Sequence, residues 1–163
     1  LSSAASDVYK RQNIKGTWNV TKAVVPYMRQ KGWGRVVIMS SVTGSMVCDK
    51  GYSAYAITKA GLLGLMRSLA REYAEYGITV NAVCPGFILT PNVRRSAART
   101  SPDAPEKVLD GIAAGVPMKR LGTPEEVGAL CAFLASDEAG YITGTSNVID
   151  GGNLIPETNV MGV

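Results

Sequence analysis

The 163-residue chain has no histidine, only two phenylalanines and two tryptophans, and three cysteines. Without histidine there is no Ser-His-Asp triad and no imidazole metal ligand, and Cys48, Cys84 and Cys131 lie too far apart for a zinc pattern. No apolar run approaches the ~20 residues of a membrane span, and no secretory-signal pattern is legible. Three cysteines without a pairing pattern suit a reducing cytoplasm, which is the expected compartment. One-sided charge is missing too: the formal net charge is +4, part of it from Lys10 and Arg11, which leaves no case for a nucleic-acid or membrane partner. What the chain does have is 46% hydrophobic residues, enough for a core in one globular domain.

Against that background the pattern Tyr55-x-x-x-Lys59, with Ser41 upstream, points to acid/base chemistry run by a phenol. Seven tyrosines and eight lysines in this length give roughly 0.3 chance matches. Tyr27-x-x-x-Lys31 also matches, so context has to decide. Ser41 follows the apolar run Val36-Val37-Ile38-Met39, whereas no comparable run precedes Tyr27, which is read as helix packing. On a helix, positions i and i+4 share a face, so Lys59 reaches the side of Tyr55 or a ligand group beside it. A lysine charge ~4 Å from a phenol oxygen favours the ionised form by about 4 kcal/mol at an effective dielectric of ~20. Ser41 would then hydrogen-bond the substrate oxygen that exchanges the proton, a constellation suited to interconverting a carbinol and a carbonyl.

The apolar pattern organises the rest of the chain. A helix is predicted from Asn13 to Lys31, stopped by Gly32-Trp33-Gly34. Val36 to Met39 reads as a strand covered on both faces, Tyr52 to Tyr76 as a long helix and Ile78 to Val83 as the next strand. Strand, helix, strand is a parallel crossover, so Ser41 and Pro85-Gly86 both fall just past the carboxyl ends of parallel strands, where open α/β sheets put their ligands. Ala56, Ala60, Gly64 and Ser68 make a narrow strip on the long helix, with Leu62, Leu63, Leu65, Met66 and Leu69 around it; more than one apolar face implies the sheet on one side and another subunit on the other. From Phe87 to Leu121 four prolines break the pattern, leaving a short helix at Glu106 to Ala114. Arg94, Arg95 and Arg99 there are a candidate anion contact or, more simply, a solvated cluster. Thr123-Pro124-Glu125-Glu126 combines an N-cap, proline at the first helical position and a capping-box glutamate, starting a helix that runs to about Ala135. Ser146 to Ile149 is a last strand, which turns out at Asp150-Gly151-Gly152.

Three ordered stretches carry a family resemblance: Gly34-Arg35-Val36-Val37-Ile38-Met39-Ser40-Ser41-Val42-Thr43-Gly44, then Tyr55-Ala56-Ile57-Thr58-Lys59-Ala60, then Val80-Asn81-Ala82-Val83-Cys84-Pro85-Gly86. Together they resemble the classical short-chain dehydrogenases/reductases. The stretch from Asn13 to Val24, and Asn147 to Gly152 with Pro156-Glu157-Thr158 after it, resemble in particular the UcpA-type oxidoreductases of that family. The resemblance implies a catalytic tetrad of Asn13, Ser41, Tyr55 and Lys59: Tyr55 as acid/base, Ser41 orienting substrate, Lys59 on the cofactor ribose, Asn13 holding a relay water. It implies NAD or NADP as cofactor, with Pro85, Gly86, Ile88 and Thr90 at the nicotinamide end. It also implies a homo-oligomer, dimer or tetramer, built through the long helix and the one before it. Nothing like the family's Thr-Gly-x-x-x-Gly-x-Gly turn or its Asn-Asn-Ala-Gly stretch is present. The expectation is therefore the C-terminal part of a doubly wound, Rossmann-type parallel sheet over residues 13–163, with residues 1–12 a foreign leader.

Two functions remain open at this point. One is an NAD(P)-dependent oxidoreductase acting on a small alcohol or carbonyl compound. The other is a catalytically silent module that binds or assembles through its central helices. Local alternatives also stand: Ser41 as a strand-end cap, Asn13 as an N-cap, Cys84 as strand packing.

Overall fold

The computed structural model describes residues 3–155. Val36, Val37 and Ile38, Ile78 and Val80, and Val148 and Ile149 are β-branched residues that fit a pleated, half-buried surface. They sit in three strands, β1 (Gly34–Met39), β2 (Ile78–Pro85) and β3 (Ser146–Ile149). All are parallel, in the order β1-β2-β3, with Gly34 opposite Ile78 and Ala82 opposite Ser146. β2 is the middle strand, buried from Ile78 to Cys84. Its alternate residues Ile78, Val80, Ala82 and Cys84 join Leu62, Leu63, Met66 and Leu69 in one core, while Val83 joins Val127 and Leu134 in another on the opposite face. Fully burying side chains the size of Leu62 or Met66 stabilises by about 1.5–3 kcal/mol each.

One face of the sheet carries α2 (Thr17–Lys31) and α3 (Ser53–Tyr73), the latter closed by a 3₁₀ turn at Ala74–Tyr76. Gly32 and Gly77 end these two helices in the left-handed conformation that glycine adopts without strain. The other face carries α6 (Pro124–Leu134). The predicted crossover, with the helix ending near Tyr76 and β2 starting at Ile78, is present. α1 (Ser3–Tyr9) comprises most of the expected leader and runs through a π-helical stretch, Lys10–Gly16, into α2. Pro156-Glu157-Thr158 and the first two residues lie outside the described part.

Three local expectations change. β1 lies at the edge of this sheet: Met39 is 43% exposed, and an open groove of about 490 Å3 separates Val36 to Ile38 from Val20 and Val24 of α2. Tyr27 is 71% exposed, so it is a surface residue and not a core packing residue of its helix. The region read as irregular holds an unexpected helix, α4 (Pro91–Thr100), beside the expected short one, α5 (Pro105–Gly115), the two packed as a hairpin. Thr90 starts α4: its hydroxyl accepts from Val93 N at 3.2 Å, with Pro91 at the first helical position. At Thr123 the full capping box forms as expected, with Glu126 N donating to Thr123 Oγ1 at 3.2 Å and Thr123 N donating to Glu126 Oε2 at 2.8 Å.

Candidate active site

All three strands end on one side of the sheet, and the segments leaving them surround a cavity of about 390 Å3. Ser41, Val42 and Thr43 follow β1, Gly86 and Phe87 follow β2, and Asn153 and Leu154 lie beyond β3; Asp49 and Tyr52, ahead of α3, close the remaining wall. Two glycines let these segments approach. Gly44, at φ +100°, lies so close to the Ala56 backbone that a Cβ there would overlap it, which seats the Ser41 loop on the start of α3. A Cβ on Gly86 would come within 2.7 Å of the Asp150 Cβ, and Gly86 N donates to Ile149 O at 3.0 Å, so the ends of β2 and β3 are tied together.

Residues at the end of β1 hold α3 in place. The Ser40 hydroxyl donates to the Lys59 carbonyl at 2.9 Å, and Lys59 Nζ donates back to Met39 O at 2.9 Å. That ammonium stands 5.6 Å from the Tyr55 ring centroid. The Tyr55 ring meets Tyr52 and Tyr9 edge-on, at centroid separations of 6.3 and 5.6 Å. Burial pulls the Lys59 ammonium below its ordinary pKa, partly opposed by Cys84. The Cys84 thiol, buried beneath, is pushed up by desolvation, opposed by hydrogen bonding to Ser40 and Ser41 and by the Lys59 charge. An elevated thiol pKa in a sealed strand is that of a packing residue.

The other expected residues are placed as follows. Ser41 lines the cavity, and its Oγ also accepts from Thr43 N at 3.1 Å, so the strand-end turn and the cavity position coexist. Asn13 lies within the π-helical stretch, with helix on both sides, and caps no helix. Its Nδ2 donates to Thr58 Oγ1 at 2.9 Å, and Thr58 donates to the Tyr55 carbonyl at 2.8 Å. Asn13 is thus brought to the helix that carries Tyr55. π-turns inside helices recur at functional positions. Pro85 ends β2; Ile88 and Thr90 are set back from the cavity, Ile88 bridged to Gly122 and Thr90 capping α4. Arg94 pairs with Glu106 at 3.7 Å, both exposed, and the arginines of α4 are not part of the cavity wall.

Sequence reading passed over Ser40, Thr58, Tyr52, Asp49 and Asn153. For Asn153 the one sequence signal is its place just beyond the Asp150-Gly151-Gly152 turn that leaves β3. Nothing in the sequence links Thr58 to Asn13, since the bond spans 45 positions.

An ammonium has three donors, and Lys59 commits one to Met39, so its remaining N-H groups suit the vicinal hydroxyls of a ribose. The residues present fit the nicotinamide-ribose end of a dinucleotide. No glycine-rich turn that would receive a pyrophosphate occurs among the described residues. No helix among them is long and apolar enough to cross a membrane.

A family model described as enoyl-(acyl carrier protein) reductase matches residues 3–153. The chain is 58% identical over 163 residues to the oxidoreductase UcpA of Escherichia coli K12, taking in 100% of this chain and 62% of that protein. It is 44% identical over 152 residues to an acetoacetyl-CoA reductase of Cupriavidus necator, covering 93% of this chain and 58% of the relative. Among solved structures, ligand-free aldohexose dehydrogenase of Thermoplasma acidophilum superposes with a TM-score of 0.88 at 37% identity, over 96% of this chain and 62% of the other. Levodione reductase does so with a TM-score of 0.88 at 38% identity, over 94% and 59%. The chain spans about three fifths of the length of the relatives it matches.

Proposed function

The chain belongs to the short-chain dehydrogenase/reductase family, and on that premise we propose that it carries the acid/base centre of an NAD- or NADP-dependent oxidoreductase interconverting an alcohol and a carbonyl. The observation that supports this most directly is the clasp between Ser40 and Lys59, which holds Lys59 beside the Tyr55 ring at the carboxyl end of β1, next to the Ser41 cavity.

The roles proposed are those that the family resemblance implies for these positions. Tyr55 takes the hydroxyl proton of the alcohol as the carbonyl forms, and returns it in the reverse direction. Ser41 hydrogen-bonds the same oxygen from the cavity wall. Lys59 places its ammonium beside the Tyr55 ring and supplies donors for the ribose. Asn13, through Thr58, fixes the turn of α3 that bears Tyr55 and is a candidate for the relay water. When bound, a nicotinamide would supply the hydride chemistry, and Pro85, Gly86, Ile88 and Thr90 are the residues that would hold its ring end.

The expected compartment is the cytoplasm, in keeping with three free cysteines. A homo-oligomer through α2 and α3 is supported by Trp18 and Tyr27, 49% and 71% exposed, and by the open side of Gly64. Hydride transfer is the test, followed by nicotinamide absorbance with NAD and with NADP in a polypeptide carrying the additional length of the relatives. There Tyr55→Phe should lower kcat/KM by well over tenfold while leaving the fold intact. A loss smaller than tenfold, about 1.4 kcal/mol, removes Tyr55 from the acid/base role.

A further inference from the structure

The walls of the strand-end cavity carry a second message, about what enters it. Its volume of about 390 Å3 is that of a small-molecule site. Thr43, Asp49, Tyr52 and Asn153 bring one carboxylate, one carboxamide and two hydroxyls, while Phe87 and Leu154 supply the apolar part. Among the described residues, no lysine or arginine lines it. Lys50 follows Asp49 in sequence, exposed and outside the lining, and Arg94 is turned to Glu106.

This set of groups discriminates by charge and by hydrogen-bond type. A carboxylate or phosphate entering the cavity finds no cation and meets the negative charge of Asp49. An ammonium could donate to Asp49 and to the carboxamide and hydroxyl oxygens, but it has no lone pair for the Asn153 N-H and the Thr43 and Tyr52 O-H groups, which a hydroxylated ligand satisfies. A neutral compound bearing several hydroxyls satisfies every group. Asp49 accepts from two adjacent O-H groups, Asn153 both donates and accepts, and Thr43 and Tyr52 do either. A plain hydrocarbon alcohol would leave these polar groups unpaired, which is where sites built around hydroxyls discriminate most strongly. The apolar face of a ring or short carbon chain would lie on Phe87 and Leu154.

We propose that this cavity recognises a neutral, polyhydroxylated alcohol or its carbonyl counterpart, with Asp49 and Asn153 as the residues that select it against anionic substrates. This rests on the catalytic reading above only for which oxygen reacts, because the selection itself is a matter of binding.

The test is a titration of an isotope-labelled polypeptide carrying the additional length of the relatives, followed by backbone amide shifts, with glucose, gluconate and cyclohexanol as probes. Glucose should shift the amides of Thr43, Asp49 and Asn153 saturably, with gluconate at least about fivefold weaker and cyclohexanol weaker still. Asp49→Asn should narrow the gap between glucose and gluconate, and Asn153→Leu should weaken glucose at least about fivefold. Asp49 is exposed in a loop, so its variant tests selectivity with the fold kept; the amide spectrum itself reports whether Asn153→Leu is folded. Gluconate binding as tightly as glucose, no saturable shift at these three amides, or an unchanged ratio in Asp49→Asn would each overturn the proposal. Loss of selectivity with hydride transfer retained would count against this proposal alone. Absent hydride transfer with selective binding intact would count against the catalytic reading alone.

Discussion

Ser40 and Lys59 are joined across 19 positions of sequence by a hydroxyl-to-carbonyl hydrogen bond of 2.9 Å. The bond docks the turn of α3 that carries Tyr55 and Lys59 onto the end of β1, and the return bond from Lys59 to Met39 closes the clasp. Ser40 is 3% exposed, so little water competes for the bond. Ser40→Ala should therefore destabilise the fold by about 1 kcal/mol. Urea denaturation of the two proteins side by side checks this, and an unchanged midpoint would remove the clasp from the account.

Two helices begin with Thr-Pro, and the pair allows an internal comparison. Thr123→Ala should lower stability by about 1 kcal/mol through loss of the cap to Glu126 N, with no direct effect on chemistry. Thr90→Ala removes an analogous cap from α4, but it also touches the segment proposed to meet the nicotinamide. Stability should fall in both variants and cofactor affinity only in the second. Thermal melts beside cofactor titrations in the longer polypeptide separate the two effects.

Glu126 is held by Arg120 at 2.6 and 2.9 Å and by the Thr123 amide, and these contacts push its carboxyl down from 4.5 to about 2. A depressed carboxyl contributes stability that is fully present above its unfolded value and lost as pH falls through the folded one. Wild type should therefore exceed Glu126→Gln in denaturation midpoint above pH 4.5, and the gap should shrink progressively toward pH 2. Both groups are solvent-facing, so the difference is small and salt should reduce it further. A gap that stays constant over this window would show that the charge is irrelevant.

The edge position of β1 leads to a fourth expectation. Its outer N-H and C=O groups face the groove beside Val20 and Val24, the kind of edge that invites pairing with another chain. The 163-residue chain by itself should self-associate and bind NAD or NADP weakly. Sedimentation with calorimetry decides: a monodisperse monomer with micromolar cofactor affinity contradicts it.

Most elements were legible where one residue pattern had one explanation. Val36 to Met39 is a continuous apolar run, Ile78 to Val83 carries apolar residues around Thr79 and Asn81, and Ser146 to Ile149 ends on Val148-Ile149; each is a strand. The capping box at Thr123 fixed a helix start to the residue. The same chemistry at Thr90-Pro91 was missed because four prolines in one stretch read as breakers, whereas Pro91 sits at the helix position where a missing N-H costs nothing. α4 is also mostly polar, with its apolar side reduced to Val93, Ala97 and Ala98, so the stripe by which helices are recognised is thin. For the candidate site, the motif residues could be listed but not their contacts: neither the seating of Asn13 on Thr58 nor the assembly of Asp49, Tyr52 and Asn153 into one wall has any sequence period. Whether β1 is central or at an edge depends on which strands are present, which its own residues do not encode.

The parallel sheet also governs how the molecule comes into being. A hairpin can zip from its turn, but here no rung of either ladder joins neighbours in sequence: Asn81 and Thr145, which fasten β3's approach to β2, are 64 positions apart. Each ladder must await closure of a long loop whose entropy is lost before any pairing offsets it. Refolding from denaturant should thus be slower than for a helical bundle of equal length. During synthesis on the ribosome the sheet cannot be completed until Ile149 has emerged, so β2, the most buried strand of the finished protein, waits longest for its second neighbour.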